Sequence, residues 1–186
     1  MAIHSPRKLT YEDFVRIPED GRRHEILDGA HVVSPAPTLD HQRVARRLCT
    51  RLDVFCEATG VGEVFPAPSD VVMSKHDIVE PDLLFVSTAR RAILGEAYVQ
   101  GAPDLAVEVL SPSTRRRDLG RKRVRYEACG VQEYWTLDPK TATAQVLRRE
   151  GEGFLPPVVL SARNDDRLMT PLLPGLEISL REVFGR

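Results

Sequence analysis

The sequence predicts an α/β protein with a mixed β-sheet. Short runs of apolar, β-prone residues at 79–86 and 103–112 are typical of strands that are buried on both faces. A helical pattern over 115–129 separates the second run from another apolar run at 133–138. A helix that joins two strands of one sheet indicates at least one parallel pairing. No repeat or shift in composition divides the chain, so we expect a single domain over residues 1–186.

The other elements follow from local patterns. Two β-prone runs flank Asp28-Gly29, which is a strong two-residue hairpin signal. Apolar residues recur every three or four positions from Leu39 to Ala58, and Gly60 follows, so we expect a long amphipathic helix that ends there. The remaining expected elements are short helices at 11–17 and at the C-terminus, strands at 23–27, 30–34, 63–65, 69–74, 82–86, 104–110, 143–148, 154–161 and 176–178, and a short helix or irregular connection at 88–101.

Composition excludes several classes of protein. The formal net charge of −1 argues against a protein that coats nucleic acid by bulk charge. No apolar run approaches the ~20 residues of a membrane span, and the N-terminus lacks the apolar segment of a secretion signal. The three cysteines have no CxxC spacing and indicate neither a disulfide framework nor a zinc site. We therefore expect a cytoplasmic protein that does not associate with membranes.

Two acidic residues, Asp82 and Glu108, interrupt apolar strand patterns. A buried carboxylate is costly unless it is paired or binds a metal ion. If the two strands are neighbours, the acids can share a Mg²⁺ ion, which prefers oxygen ligands and keeps several waters. Glu25 is a third candidate ligand, and the backbone carbonyl of Val109 offers a further oxygen. A metal ion held in this way can activate water and stabilise the leaving oxygen of a phosphodiester.

Lys122 is the candidate general base or transition-state cation. On a regular helix it lies on one face with Leu119 and Tyr126, at the edge of the buried side, where its ammonium can reach the acids. Asp118 precedes it by one turn and is an expected i,i+4 partner. His41, in the first turn of the long helix, is interpreted as an ordinary surface or cap-region residue.

The helix at 115–129 also carries a concentrated positive patch, with seven basic residues and one acid between 115 and 125. Outward-facing arginines can hold a phosphate backbone and give affinity without reading sequence. The expected nucleic-acid contacts are Arg115, Arg116, Arg117, Arg121 and Arg125.

Seven short strings in a fixed order resemble the Uma2 family of restriction-endonuclease-like proteins, in the PD-(D/E)XK nuclease superfamily. The resemblance covers nearly the whole chain, from Thr10 to about Ile178. The strings are HEILDG at 24–29, SPAP at 34–37, HQ at 41–42, EPD at 80–82, EVLSPS at 108–113, DLGRK at 118–122 and VQEYW at 131–135 with DP at 138–139.

This resemblance implies a restriction-endonuclease-like core of order αβββαβ, with an added N-terminal hairpin and C-terminal strands. It implies a Mg²⁺ or Mn²⁺ site in which Asp82 and Glu108 match the two superfamily acids and Glu25 matches the family's upstream acid. The superfamily usually has a lysine two residues after the second acid, where this chain has Leu110. The resemblance implies that the lysine has moved to the position of Lys122.

Three functions are compatible with these residues. The favoured one is a metal-dependent DNA endonuclease, expected to act as a homodimer because two sites related by a two-fold axis suit cleavage of both strands. The second is a catalytically inactive module that binds nucleic acid or protein, suggested by Leu110. The third is a metal-dependent hydrolase of a smaller phosphoester, since fold alone does not decide the substrate.

Overall fold

The computed structural model describes residues 7–185. Its first elements are α1 (Tyr11–Phe14), β1 (Arg23–Leu27), β2 (Ala30–Ser34), α2 (Leu39–Thr59), β3 (Gly62–Pro66), β4 (Val71–Ser74), β5 (Asp77–Val79), β6 (Leu83–Ser87), a 3₁₀ turn (Thr88–Ile93), β7 (Val99–Gln100) and β8 (Leu105–Val109). They are followed by α3 (residues 115–129), β9 (Glu133–Asp138), β10 (Thr143–Glu150), β11 (Gly153–Phe154), β12 (Val158–Ser161), a 3₁₀ turn (Ala162–Asn164), β13 (Arg167–Leu168), β14 (Ile178–Ser179) and α4 (Leu180–Phe184).

The main sheet, within the described residues, has the strand order β11-β10-β9-β8-β6-β3, and β12 also pairs with β10. Strand β6 pairs antiparallel with both β3 and β8. The chain then crosses through α3, and β9 pairs parallel to β8. With α2 ahead of β3, this is the predicted αβββαβ order of a restriction-endonuclease-like core in a mixed sheet, so the predicted fold class is confirmed.

A smaller sheet of order β2-β1-β5-β4-β7 carries the N-terminal hairpin. Asp28 and Gly29 form its turn with positive φ angles of 50° and 76°, as the hairpin signal predicts. Strand β5 was not predicted, because three residues give too little alternation to recognise. The predicted strand at 154–161 is in fact two strands, since Pro156 and Pro157 lie between them and have no amide hydrogen to donate.

Each face of the main sheet has its own apolar core. Helix α2 presents Val44, Leu48, Leu52 and Cys56 to one face, where Trp135 is fully buried. The other face packs Tyr126 of α3, Tyr134, Val131, Val79 and Leu147 together. Because side chains alternate along a strand, β6 and β8 each send every second residue to the α3 side.

Helix α3 is not the uniform α-helix that the sequence suggests. A π-helical turn spans Asp118–Lys122, between α-helical segments at Arg115–Arg117 and Arg123–Cys129. The wider turn changes the phase of the helix. As a result Lys122 is fully buried rather than at the edge of the buried face.

None of the helices in residues 7–185 has the length and apolar character needed to cross a membrane. Cys49, Cys56 and Cys129 are all free, and Cys56 packs in the core beneath α2.

Asp77 joins the smaller sheet to α3. Its fully buried carboxylate accepts hydrogen bonds from Arg125 Nε (2.8 Å) and Nη2 (2.6 Å), from Ser74 Oγ (2.7 Å) and from the Asp28 backbone N–H (2.9 Å). Burial alone would raise the pKa of Asp77, but these bonds outweigh it and lower the pKa.

The Asp77→Ala variant is expected to lose about 3–5 kcal/mol of unfolding free energy, because the Arg125 guanidinium is left half-buried without its carboxylate. The matched control Glu63→Gln removes an exposed ion pair with Arg91 and should change stability by no more than about 0.5 kcal/mol. Urea denaturation at pH 7 measures both. A loss below about 1 kcal/mol for Asp77→Ala would contradict this role.

Candidate active site

Strand register brings Asp82 and Glu108 together. Strands β6 and β8 pair antiparallel with Leu83 opposite Val107, so Asp82, just before β6, falls opposite Glu108. Alternation sends Leu83 and Val107 into the core under α2. The two acids therefore project to the other side, toward α3, and both line one cavity of about 330 Å³.

Asp82 is held by three donors. Its Oδ1 accepts from Arg23 Nη1 at 2.8 Å, and its Oδ2 accepts from His41 Nε2 at 2.9 Å and from the Val109 backbone N–H at 2.7 Å. Burial alone would raise the pKa of Asp82, but the His41 and Arg23 contacts outweigh it and lower the pKa to about 2. Asp82 is therefore a carboxylate at neutral pH.

Glu108 belongs to a second hydrogen-bonded network, which is buried and centred on Lys122. The Lys122 ammonium lies 2.7 Å from Glu108 Oε1 and 2.7 Å from Glu25 Oε1. Tyr126 Oη donates to the same Glu108 oxygen at 2.8 Å. Leu110, two residues after Glu108, is apolar and buried, and the ammonium that contacts Glu108 comes from Lys122 on α3.

In this network the carboxyl groups of Glu25 and Glu108 share the single ammonium of Lys122. The pKa values of Lys122 and Glu108 reflect this excess of acidic groups. Burial would lower the pKa of Lys122, but Glu108 and Glu25 outweigh it and raise the pKa above its ordinary value. Burial, with Asp118, Asp82 and Glu25 nearby, raises the pKa of Glu108 to about 8 despite the ammonium. Lys122 is therefore charged, and Glu108 takes up a proton more readily than an ordinary glutamate.

The donor set around the cavity suits a hard divalent cation. The carboxyl groups of Asp82 and Glu108 and the backbone carbonyl of Val109 offer oxygen ligands, which Mg²⁺ prefers. Both hydrogen bonds to Glu108 use Oε1, which leaves Oε2 for another ligand. Within residues 7–185, no three His, Cys, Asp or Glu side chains are grouped closely enough to form a full ligand set. A cation here would therefore complete its shell with water or substrate oxygens.

Glu25 and Asp118 lie in places that the sequence did not indicate. Glu25 is fully buried behind Lys122, accepts the Glu80 backbone N–H at 3.0 Å, and is not among the residues that line the cavity. Asp118 does line the cavity, but it is not within ion-pair distance of Lys122, because the π-helical turn displaces the expected i,i+4 contact. Burial raises the pKa of Asp118.

Three buried polar atoms meet near Arg117 without a hydrogen bond among the described residues. They are Glu25 Oε2, Asp118 Oδ1 and Arg117 Nε. Arg117 Nη2 lies 3.7 Å from Glu25 Oε2, and Arg117 Nε lies 3.7 Å from Asp118 Oδ1, so these charges attract one another without a hydrogen bond. Arg117 also donates to Ser34 Oγ at 2.6 Å.

The basic face of α3 differs from the expectation that all five arginines face outward. That expectation is wrong for Arg117 and Arg125, which are only 15% and 26% exposed in their side chains and pair with internal acids. Arg115 is exposed but pairs with Asp138, and Arg121 donates to the Leu27 carbonyl at 3.0 Å. Of the five, Arg116 is exposed and forms no hydrogen bond or ion pair with the part of the chain described.

The sequence interpretation missed several residues of this site. His41 was assigned to the surface or cap region, but it is buried against Asp82. Arg23 was given no role, although period-two alternation places it on the same face of β1 as Glu25. Tyr126 was expected to turn inward, and its spacing of four residues from Lys122 could have indicated a shared partner.

Comparisons with known proteins find similarity to a family and to a solved structure that are both described as nucleases. The profile of the Uma2 family, described as "Putative restriction endonuclease", matches residues 11–181. A crystal structure of a "putative nuclease belonging to DUF820" from Anabaena variabilis superposes with a TM-score of 0.80 at 19% identity and covers 95% of this chain and 98% of that chain. No curated protein matches the sequence. The structural likeness shows the fold, and the profile match shows that the chain belongs to the Uma2 family.

Proposed function

We propose that the protein is a metal-dependent endonuclease that hydrolyses DNA phosphodiester bonds with Mg²⁺ or Mn²⁺. The family description supports nuclease chemistry in general. The observation that carries the finer proposal is the shared cavity of Asp82 and Glu108, with the Lys122 ammonium 2.7 Å from Glu108. When bound, the cation would act as a Lewis acid on the phosphoryl group and make water more acidic.

Each residue has a distinct part in this proposal. Asp82, Glu108 and the Val109 carbonyl would hold the cation. Lys122 is fully buried and is not among the residues that line the cavity, so in this proposal it holds Glu108 in place and adds positive charge behind the site of phosphoryl transfer. Glu25, which the sequence suggested as a metal ligand, is better suited to positioning Lys122, because its carboxylate contacts the ammonium and lies outside the cavity lining.

The proposed DNA contacts lie on the exposed part of α3. Arg115, Arg116 and Arg121 are solvent-exposed and can approach phosphates, whereas Arg117 and Arg125 are engaged inside the protein. Phosphate contacts of this kind provide affinity and register but no sequence reading.

The inactive-module alternative is weakened by Lys122, because the amine missing at Leu110 is supplied from the helix. The homodimer is retained because two active sites suit cleavage of a duplex. A cytoplasmic location is supported by three free cysteines, since oxidising compartments favour disulfides.

Cleavage of supercoiled plasmid DNA with Mg²⁺ or Mn²⁺ tests the proposed activity. Asp82→Asn and Glu108→Gln should lower the rate at least about 100-fold, because each removes a ligand charge. Lys122→Met should lower it about 10²–10⁴-fold. The matched control is Asp104→Asn, another buried acid of the same strand region, which pairs with Arg90 and does not line the cavity; it should keep near-wild-type activity when folded.

Equal rates in all these variants would mean that the activity comes from elsewhere. If the wild type and the folded variants bind DNA but none of them cleaves it, the inactive module is favoured. Hydrolysis of small phosphoesters but not of plasmid would favour the third function.

Calorimetric titration with Mn²⁺ separates a ligand from a positioning residue. Glu108→Gln should weaken Mn²⁺ binding at least about tenfold, because the cation loses a carboxylate. Glu25→Gln should leave Mn²⁺ affinity within about threefold yet lower kcat, because Lys122 loses one of its two anchors. Equal weakening of Mn²⁺ binding by both variants would make Glu25 a ligand after all.

The salt dependence of DNA affinity tests the exposed arginines. Arg116→Gln should reduce the slope of log affinity against log salt by about one, the loss expected for one phosphate contact. Arg91→Gln is the control, since Arg91 is 74% exposed but lies on the Thr88–Ile93 turn away from α3. If both changes alter the slope equally, α3 is not the DNA-binding face.

A further inference from the structure

Arg23 lies where three cavities meet beside Asp82. It lines the cavity of about 330 Å³ that contains Asp82 and Glu108, a second of about 330 Å³ along α2, and a groove of about 890 Å³ that includes Glu80. Pro37 is the other residue common to all three. The Arg23 side chain can therefore be reached from all three cavities.

The guanidinium of Arg23 occupies an oxygen that a cation would need. Its Nη1 donates to Asp82 Oδ1 at 2.8 Å, while its Nε lies 2.7 Å from Glu80 Oε1. The second oxygen of Asp82 already accepts from His41 and Val109. A divalent cation on Asp82 would therefore compete with Arg23 for Oδ1 and repel its positive charge.

The two contacts of Arg23 are made by different parts of the side chain. The Nε atom pairs with Glu80 at the groove, and Nη1 pairs with Asp82. With Nε still anchored, the Nη edge can change partner. Planar guanidinium edges bind phosphate oxygens in bidentate fashion, which suits a phosphodiester that lies in the groove.

We propose that Arg23 is the phosphate-binding residue of this site, held on Asp82 in the free protein and transferred to the phosphodiester when a divalent cation binds Asp82. The proposal rests on the proposed function, since it needs both a cation and a phosphodiester. Arg23 would then be a competitor of the cation before DNA binds and a ligand of the substrate afterwards.

Another arginine of the chain shows what a purely structural pair looks like. Arg125 directs both Nε and Nη2 at the single, fully buried carboxylate of Asp77, and it lines none of the three cavities. Arg23 instead divides its donors between two acids and remains 20% exposed at the junction of the cavities.

The experiment measures two affinities whose predicted changes have opposite signs. Mn²⁺ binding without DNA is measured by calorimetry, and binding of a labelled DNA duplex is measured by fluorescence anisotropy in saturating Ca²⁺, with the duplex checked on a gel. The Arg23→Gln variant should bind Mn²⁺ about tenfold more tightly or better, because a competing positive charge is gone. The same variant should bind the duplex about tenfold more weakly, because a charged phosphate contact is lost.

The matched control is Arg90→Gln, which removes another arginine paired with a buried acid, Asp104, outside the three cavities. Both of its affinities should stay within about twofold of wild type, the level expected for a change away from the site. Circular dichroism shows whether each variant is folded.

The outcomes separate this proposal from the function on which it rests. If Arg23→Gln leaves Mn²⁺ affinity unchanged or lowers it, or leaves duplex affinity unchanged, the role of Arg23 is overturned while the nuclease proposal stands. If wild type takes up no Mn²⁺, both fail. Should Arg23→Gln not fold, Arg23→Lys decides: it keeps the charge but loses the planar bidentate edge, so duplex affinity must fall about threefold or more, and an unchanged value overturns the proposal.

Discussion

A buried ammonium joins the two sheets of this protein. Lys122 of α3 lies between Glu25 on β1 of the smaller sheet and Glu108 on β8 of the main sheet, 2.7 Å from each carboxylate. An unpaired charge at such depth costs several kcal/mol, about 3–5 when one partner of a buried pair is removed. The sheets and α3 are therefore most stable when they assemble together, and one of the joining residues, Glu108, also lines the candidate active site.

Asp82 and Glu108 line the same cavity, but their pKa values are shifted in opposite directions. Asp82 is kept ionised by His41 and Arg23, while burial, together with the nearby acids, raises the pKa of Glu108. Two neighbouring carboxylates with such different proton affinities form an asymmetric site. Asp82 is ionised at neutral pH, and the higher pKa of Glu108 makes its negative charge more dependent on nearby positive charge. The same pair is thus stable in the free protein and receptive to a cation.

The sequence was most informative where the signal is local. Apolar strands interrupted by single acids located Asp82 and Glu108, and the two-residue turn at Asp28 defined both strands of the hairpin with their observed bounds. The long helix ends at Thr59, one residue after the predicted end at Ala58, and Gly60 forms its left-handed cap. These features depend on neighbours within a few residues, which a pattern can report.

Features that depend on distant partners were not predictable in the same way. Arg23 and His41 reach Asp82 across 59 and 41 residues, and only the folded sheet brings them together. The inward orientation of Arg117 and Arg125 likewise depends on buried acids contributed by other elements. A basic stretch in the sequence indicates charge, but it does not tell which side chains find internal partners.

The π-helical turn at Asp118–Lys122 makes the length of this segment as important as its composition. A π-helical turn holds one residue more than an α-helical turn, so deleting one residue there would restore ordinary winding and leave the helix that follows facing nearly the same way. Tyr126 and Arg125 would still face Glu108 and Asp77, while the residues of the turn itself, Lys122 among them, would change direction. The extra residue therefore matters for the ammonium between Glu25 and Glu108 and can be lost without unfolding the rest of the helix.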